Sequence, residues 1–382
     1  MDFFSGIDWF FIATSLAKTL GIIFVVVLPL VSYTVYAERR MSALMQDRLG
    51  PNRVGIPFTN IKMHGLGQPI ADAMKFLLKE DLTPAHVNKF YYWLAPCLAM
   101  VPALLTLAVI PFGSTLLGVP MVIANVNIGI LFVFAVASLS VYGIVLAGWS
   151  SNSKYPFLGG VRSTSQMISY ELSLGLSVIP LFLLLGKLNL VDIVDYQAKN
   201  GWLLVPFWGE GWSWRRWLLL PPMVISFVVF TISIFAETNR LPFDMPECET
   251  ELVAGYHTEY SSMKFALFFL GEYAAMITGS ALIVTLFLGG WDLPIPWWSH
   301  TAGFHIALVD GSAPGIAGIL GGLFNIVTFF AKVAVLLGLF IWVRWTLPRF
   351  RYDQLMRLGW IFFFEIALVN IFLTAGILFY LP

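Results

Sequence analysis

The chain is 382 residues long, and 58% of these residues are hydrophobic while only 12% are charged. A soluble domain of this length needs more polar residues to cover its surface, so the composition excludes one and indicates a polytopic membrane protein. Basic and acidic side chains number 22 each, and this balance gives no reason to expect a nucleic-acid partner. Two cysteines and five scattered histidines lack the spacing of metal ligands, so we expect no bound metal.

Eight apolar segments are long enough to cross a bilayer, since a membrane helix needs about 20 residues. They are residues 10–36, 92–113, 127–148, 168–187, 218–236, 265–289, 315–343 and 357–381. We therefore predict an all-α fold, with one transmembrane domain, residues 1–382, that crosses the bilayer eight times.

The basic residues are distributed unevenly among the predicted connections. Sixteen of the 22 lysines and arginines lie in or directly beside the odd-numbered connections. These connections are residues 37–91, 149–167, 237–264 and 344–356. Because loops on the cytoplasmic side are enriched in Lys and Arg, we predict that these four are cytoplasmic and that both termini lie on the outer, periplasmic side.

The first cytoplasmic loop is long enough to fold, and a Gly-Pro-Asn turn at residues 50–52 predicts an ordered segment. Further along, Ile70, Met74, Leu77 and Leu78 share one helical face. This pattern is typical of a short amphipathic helix that lies at the cytoplasmic membrane surface. Such a helix is either a structural brace or the frame of an opening through which a lipid-soluble molecule enters.

Several ionisable residues fall inside the predicted spans. A carboxylate in an apolar span is a functional candidate by default, which singles out Glu171 and Glu272. Glu365 and Lys332 are weaker candidates, because a neighbour could satisfy either one or its side chain could reach the interface. The connection 188–217 holds five tryptophans, a composition typical of an interfacial belt, and shows no chemistry.

An acidic segment, residues 235–273, concentrates seven of the 22 acids of the chain. Asp244 followed by Glu247 predicts a capped helix start, with Pro246 in the first turn, and Glu247, Glu251 and Glu259 would then lie along one helical face. Like charges so spaced repel one another and favour shared protons, which indicates proton or cation handling. The alternative is a solvated amphipathic connector.

Four stretches resemble a membrane subunit of respiratory complex I, the proton-pumping NADH:quinone oxidoreductase. This family comprises the bacterial H subunit and its mitochondrial equivalent. The stretches are AERRMSALMQDRLGPNRVG, QPIADAMKFLLKE, GGVRSTSQMISYE and AETNRLPFDMPECETELVAGYHTEYSSMKFALFFLGEY. The similarity extends from about Glu38 to the last span. Connection 188–217 is longer than this family leads us to expect.

The resemblance implies an enzyme subunit with no redox centre and no bound cofactor of its own. Its substrate would be a quinone, and flavin and iron–sulfur clusters would lie on partner subunits of the hydrophilic arm. Its other partners would be neighbouring membrane-arm subunits and the lipid bilayer, as a multi-pass protein of the bacterial inner membrane. The quinone-chamber roles of the family fall on Glu38, Arg39, Arg48, Arg53 and Asp72. The proton-path roles fall on Glu171, Glu237, Glu247, Glu249, Glu251 and Glu259.

Two other interpretations of the sequence stay open. One is the equivalent membrane anchor of a hydrogenase or of a ferredoxin-linked relative, which would use a different electron donor. The other is a free-standing ion transporter with the acidic segment as a gate, although the sequence shows neither internal repeats nor paired interrupted helices. The subunits that co-purify with the chain would distinguish the first, and cation flux through the isolated chain would test the second.

Overall fold

The structure is a computed structural model that describes residues 9–55, 64–116, 119–204, 214–245, 252–293 and 316–380. The chain forms two compact units, Met1–Asp72 and Ala73–Pro382. In the first unit, helices α1 (Trp9–Gly21) and α2 (Leu28–Met45) are joined by a π-helical segment, Ile22–Val27. Helix α3 (Gln68–Leu78) begins in the first unit and ends in the second, which confirms the predicted short helix.

The second unit contains the remaining helices. They are α4 (Lys89–Thr106), α5 (Gly129–Ser150), α6 (Lys154–Leu185), α7 (Leu190–Asn200), α8 (Trp214–Glu237), α9 (Ser262–Phe287), α10 (Ile316–Thr346), α11 (Tyr352–Arg357) and α12 (Phe364–Tyr380). A 3-10 turn, Gly255–His257, precedes α9, and a π-helical segment, Leu358–Phe363, joins α11 to α12. Two short strands, β1 (Thr115–Leu116) and β2 (Val119–Pro120), pair antiparallel with Leu116 opposite Val119.

The predicted helical membrane fold is confirmed in its class. Within the described ranges, seven helical segments are long and apolar enough to cross a bilayer. They are Ala13–Met45, Gly129–Ser150, Lys154–Leu185, Trp217–Glu237, Ser262–Phe287, Gly318–Thr346 and Tyr352–Tyr380. The remaining predicted span falls on α4, where two tyrosines, a tryptophan and two prolines lower the hydropathy. An eighth crossing and the sidedness of the termini therefore stay predictions.

Helix α9 lies at the centre of the second unit, and 72% of an apolar stretch of 18 of its residues is buried. Its sequence explains this position, because glycine, alanine and serine recur along it and allow neighbouring helices to approach closely. Helices α4, α8 and α10 contact it directly, and α5 and α6 pack on α4 and α8.

The predicted helix through Glu259 is wrong over its described part. Val253 and Gly255 both have positive φ, at 66° and 58°, so a regular helix cannot pass through them. The chain instead makes the 3-10 turn, whose backbone packs directly against Gly159 of α6. A Cβ atom on Gly159 would lie 2.8 Å from the Gly255 Cα, so glycine at position 159 permits this close contact.

The connection after α6 has a structural role that the sequence does not reveal. Its helix α7 places the buried Gln197 against the end of α9, where the side-chain amide donates to the carbonyls of Thr285 and Leu286 at 3.0 and 3.1 Å. The Gln197 Oε1 accepts the Gly289 N–H at 3.0 Å. Part of this long connection therefore caps the carboxyl end of the central helix.

Candidate functional site

Two of the predicted quinone-chamber residues form an ion pair in the first unit. The Arg39 guanidinium lies 2.8 Å from an Asp72 carboxylate oxygen. The other Asp72 oxygen accepts a hydrogen bond of 2.9 Å from Gln68, one turn earlier on α3. Glu38, the residue before Arg39 on α2, is 6% exposed. A partly buried charged cluster therefore occupies this part of α2 and α3.

The other two predicted chamber residues, Arg48 and Arg53, follow α2 in the chain. Both line an open depression of about 470 Å³, to which residues 48–54 and Gln68 contribute. Arg48 donates from Nε to the Gln46 side chain at 2.7 Å. Both arginines are exposed, so their charges remain available to a polar group that enters the depression.

In the second unit, Glu237 is the last residue of α8, and it lines a cavity of about 60 Å³. Helices α4, α5, α6, α8 and α9 all contribute to the wall. The polar residues of the wall are Thr106, Ser140, Glu237, Thr238 and Thr278, and the others are apolar or glycine. One water needs roughly 10–15 Å³ of such space and two or more polar partners, so the cavity is large and polar enough to hold water next to the carboxylate.

Glu171 and Glu237 are brought close enough to interact electrostatically, although 66 positions separate them along the chain. Glu171 lies on α6 and is half-buried, as is Glu237. Within the described residues, neither carboxylate receives a hydrogen bond or forms an ion pair with a protein side chain. Two carboxylates held near each other in an apolar surrounding favour a state in which one carries a proton.

A second polar cluster, which we call the Arg240 cluster, surrounds Arg240 just beyond α8. Its guanidinium lies 3.9 Å from a Glu272 oxygen and 4.1 Å from the centre of the Tyr273 ring. The other Glu272 oxygen accepts a hydrogen bond of 2.9 Å from the Tyr256 hydroxyl. The functional candidate Glu272 is therefore paired, unlike Glu171 and Glu237, and an arginine that is 5% exposed has its charge matched inside the protein.

The start of α9 carries another buried cation, Lys264. Its ammonium contacts Asp81 at 3.0 Å and the Thr83 hydroxyl at 2.6 Å, and it lies 4.3 Å from the centre of the Trp93 ring. These contacts fix the segment between α3 and α4 against the beginning of α9.

Glu259 does not line the cavity, and its contact with α4 is made by its backbone. Its carbonyl accepts a hydrogen bond of 2.6 Å from the Tyr92 hydroxyl. The Tyr92 ring stacks on Tyr260 at 4.1 Å. Burial raises the pKa of Tyr260, and a hydrogen bond with the Ser150 hydroxyl acts in the opposite direction. Glu247, Glu249 and Glu251 lie outside the described residues, so their predicted roles stay predictions.

Sequence reasoning missed the neutral polar residues of this region. The threonines and the serine of the cavity wall lie on or next to apolar helices, and nothing in the sequence distinguishes them. The buried Gln166 lies in one of the stretches that resemble the family, but the resemblance assigned no role to it. Their partners are largely backbone carbonyls and a cavity, which leave no pattern in the sequence. Across the described part of the chain, no group of three or more His, Cys, Asp or Glu residues could hold a metal ion.

Comparison with known proteins shows the family. The sequence profile described as NADH dehydrogenase matches residues 17–375. The NADH-quinone oxidoreductase H subunit 2 of Koribacter versatilis is 46% identical over 379 residues, which cover 96% of this chain and 97% of the relative. The H subunit of Rickettsia prowazekii is 48% identical over 373 residues, 98% of this chain and 96% of the relative. The H subunit 1 of Geobacter metallireducens is 48% identical over 371 residues, 96% and 97% of the two chains.

These matches agree with the resemblance carried by the cytoplasmic loops, and they extend over nearly the whole length of the chain and of each relative. The chain therefore belongs to the NADH dehydrogenase family, whose members include the H subunits of NADH-quinone oxidoreductases.

Proposed function

We propose that this chain is the membrane subunit of an NADH:quinone oxidoreductase that forms part of the quinone chamber and couples quinone reduction to proton translocation. A quinone takes two electrons and two protons to become a quinol, so its reduction removes protons from nearby groups. The electrons come from NADH through flavin and iron–sulfur clusters on partner subunits. This chain binds the quinone head group and passes the change in protonation to its own carboxylates.

The observation that carries the proposal is the interacting pair Glu171 and Glu237, of which Glu237 lines the cavity. A carboxyl group relays a proton when water or another carboxyl lies within hydrogen-bond reach, about 2.6–3.2 Å. The cavity supplies room for water at Glu237, and the charge of Glu171 acts on the same carboxylate. A change of charge on one glutamate therefore alters the proton affinity of the other.

The quinone part of the proposal is supported by the charges of the first unit. Asp72 and Arg39 form a pair that can donate and accept hydrogen bonds with a quinone carbonyl and with the hydroxyl that replaces it. Arg48 and Arg53 add two positive charges, which stabilise the negative charge that develops on a quinone as electrons arrive.

The substitutions Glu171→Gln and Glu237→Gln test the proton path in the assembled complex. Each removes the titrating group and keeps its shape, and we expect coupled turnover to fall by about tenfold or more. The readout is the ratio of protons translocated to electrons transferred, measured in vesicles. Glu365→Gln is the matched control, because Glu365 also lies on a membrane helix but is exposed and outside the cavity wall. A wild-type ratio in both Glu171→Gln and Glu237→Gln, with normal assembly, would refute the proton path.

Asp72→Asn tests the quinone chamber separately. The change leaves Arg39 without its anionic partner, so we expect a higher KM for quinone and an unchanged rate of NADH oxidation with an artificial acceptor on the hydrophilic arm. Glu80→Gln, two residues beyond α3 and exposed, is the control. An unchanged KM in Asp72→Asn would contradict the assignment of the chamber to these residues.

A further inference from the structure

The end of helix α8 is held by a side chain from another helix. Helix α8 ends at Glu237, and two residues later Asn239 has a φ of 50°, a left-handed conformation that turns the chain away from the helix axis. A helix that ends in this way leaves carbonyl groups of its last turn in need of donors. The carbonyl of Ala236, the residue before Glu237, accepts the Asn239 N–H at 3.3 Å and has a second lone pair available.

The second donor to Ala236 is Gln166 of α6, a residue with 0% exposure. Its Nε2 lies 2.8 Å from the Ala236 carbonyl and 2.7 Å from the carbonyl of Phe243. The side-chain oxygen of Asn239 is a third acceptor, at 3.2 Å. One amide group of α6 therefore holds both ends of the turn that follows Glu237.

The chemistry of the amide fixes its orientation. The NH2 group has two hydrogens, and the two shortest contacts are those to the backbone carbonyls, so each carbonyl receives one hydrogen. The reversed orientation would place Oε1 against three oxygen atoms, which repel it. Asn239 also accepts from the Ser163 hydroxyl at 3.4 Å, which adds a weaker link from the same helix.

The location of Gln166 connects the two glutamates. Gln166 and Glu171 lie on the same helix, five positions apart, and Gln166 binds the backbone directly before Glu237. Besides the packing of α6 on α8, a buried and uncharged side chain therefore links the helix of Glu171 to the backbone next to Glu237. A displacement on the order of 1 Å at a reacting group can cost about 10²-fold in rate, so this contact bears on proton transfer.

We propose that Gln166 is a positioning residue that holds Glu237 against the cavity and at a fixed position relative to Glu171. This inference rests on the proposed function, because it matters only if Glu237 carries protons. Gln166 does not titrate and does not touch the quinone; it acts through the backbone on either side of the turn. A hydrophobic side chain of the same size fills its space but leaves the Ala236 and Phe243 carbonyls with their backbone donors alone.

The test uses the assembled complex with Gln166→Met, which keeps the length of the side chain and removes the donor. Gln166→Glu is the second variant, because it keeps the shape of the side chain and its protonated form can still donate one hydrogen bond. It therefore allows the test if the complex does not assemble with Gln166→Met. The matched control is Gln197→Met, because Gln197 is equally buried and also donates to two backbone carbonyls, at the end of α9 rather than beside Glu237.

Two readouts separate positioning from general stability. The first is the proton-to-electron ratio of the complex that assembles, measured for Gln166→Met, Glu237→Gln and the double variant. The second is the infrared band of the Glu237 carboxyl in redox difference spectra, identified by its loss in Glu237→Gln. A loss of stability alone lowers the yield of complex and leaves both readouts unchanged in what remains.

We expect the Gln166 variants to lower the ratio and shift the Glu237 band, and the double variant to lower the ratio no further than Glu237→Gln alone. Gln197→Met should reduce yield only. A wild-type ratio and an unshifted band in the Gln166 variants, or additive losses in the double variant, would overturn the inference. If Glu237→Gln itself keeps the wild-type ratio, the proposed function fails as well, so the two failures are distinguishable.

Discussion

The two ends of the central helix α9 are held by opposite means. At its beginning, the charges are matched by other charged side chains: Lys264 by Asp81, and Arg240 by Glu272. At its far end, the ammonium of Lys332 lies among backbone carbonyls instead, donating to Leu288 and Gly290 at 2.8 and 2.9 Å. A third acceptor there is the carbonyl of Asp292.

This difference separates contacts between two charged side chains from contacts between a charged side chain and the uncharged backbone. Dissolved salt screens the attraction between two ions, whereas a backbone carbonyl carries no net charge. The negative end of the helix dipole also favours a cation at the far end of α9. We therefore expect the contacts at the beginning of α9 to weaken as salt is added, and the far end to act as an anchor whose strength depends little on salt.

The largest effect is expected from Lys332→Met. The change keeps most of the apolar stem but leaves three carbonyls near Gly290 without their shared donor, which should cost about 2–4 kcal/mol of unfolding free energy. The measurement is denaturant unfolding of the full chain in detergent micelles. Lys187→Met is the control, because Lys187 is 62% exposed and its pair with Asp192 should contribute about 1 kcal/mol or less. Equal losses of unfolding free energy in the two variants would contradict the role of Lys332 as an anchor for the far end of α9.

Gly159→Ala should have the next largest effect. The added Cβ would lie 2.8 Å from both the Gly255 Cα and the Tyr256 nitrogen, and backbone on both sides cannot easily move, so we expect a loss of about 1–3 kcal/mol. Gly175→Ala, on the same helix with no heavy atom within 4 Å of the new Cβ, should instead gain up to about 1 kcal/mol from helix propensity. A loss of similar size at Gly175 would show that the cost does not come from the contact.

A smaller effect is expected for the ion pair of Lys264 and Asp81. Because the Asp81 side chain is 43% exposed, solvent screens it, and a double-mutant cycle of Lys264→Met and Asp81→Asn should give a coupling of about 1 kcal/mol. The coupling should decrease as salt is added. The cost of Lys332→Met should change little under the same conditions, and a parallel decrease would remove the contrast between the two ends.

The smallest effect at neutral pH is expected from the ionisation of Tyr260. Burial raises the pKa of this phenol in the folded chain, so the folded state keeps the proton at a pH where the unfolded state has released it. The resulting stability is complete below about pH 10 and is lost as the pH rises further. Tyr260→Phe should therefore flatten the decline of the unfolding midpoint above that pH. An identical decline in the wild type and the variant would exclude this contribution.

The sequence could predict the helical membrane fold, the short helix α3 and the family, because hydropathy and long loop motifs depend on many residues at once. It also singled out Glu171 and Glu237, which the structure brings close together. It could not predict the turn after Val253, because the reason for that turn is contact with Gly159, 96 positions away from Gly255.

The roles of Lys332 and Gln197 were beyond sequence reasoning for a related cause. Lys332 was only a weak candidate, and the connection that contains Gln197 showed no chemistry. Both side chains bind backbone carbonyls at the end of α9, and every residue has a carbonyl, so no partner residue type marks the site. Charged pairs such as Arg39 with Asp72 leave a signal in composition, whereas side chains that cap a backbone leave none.

The contact between Gly159 and the turn at Gly255 has a consequence for labelling experiments. Gly159 has no room for a reporter group, and the turn cannot slide along α6 without separating the two backbones. The turn is therefore a stationary reference point within the second unit. A fluorophore or spin label on the exposed Val253 would report distance changes elsewhere in the second unit against a marker that keeps its place on α6.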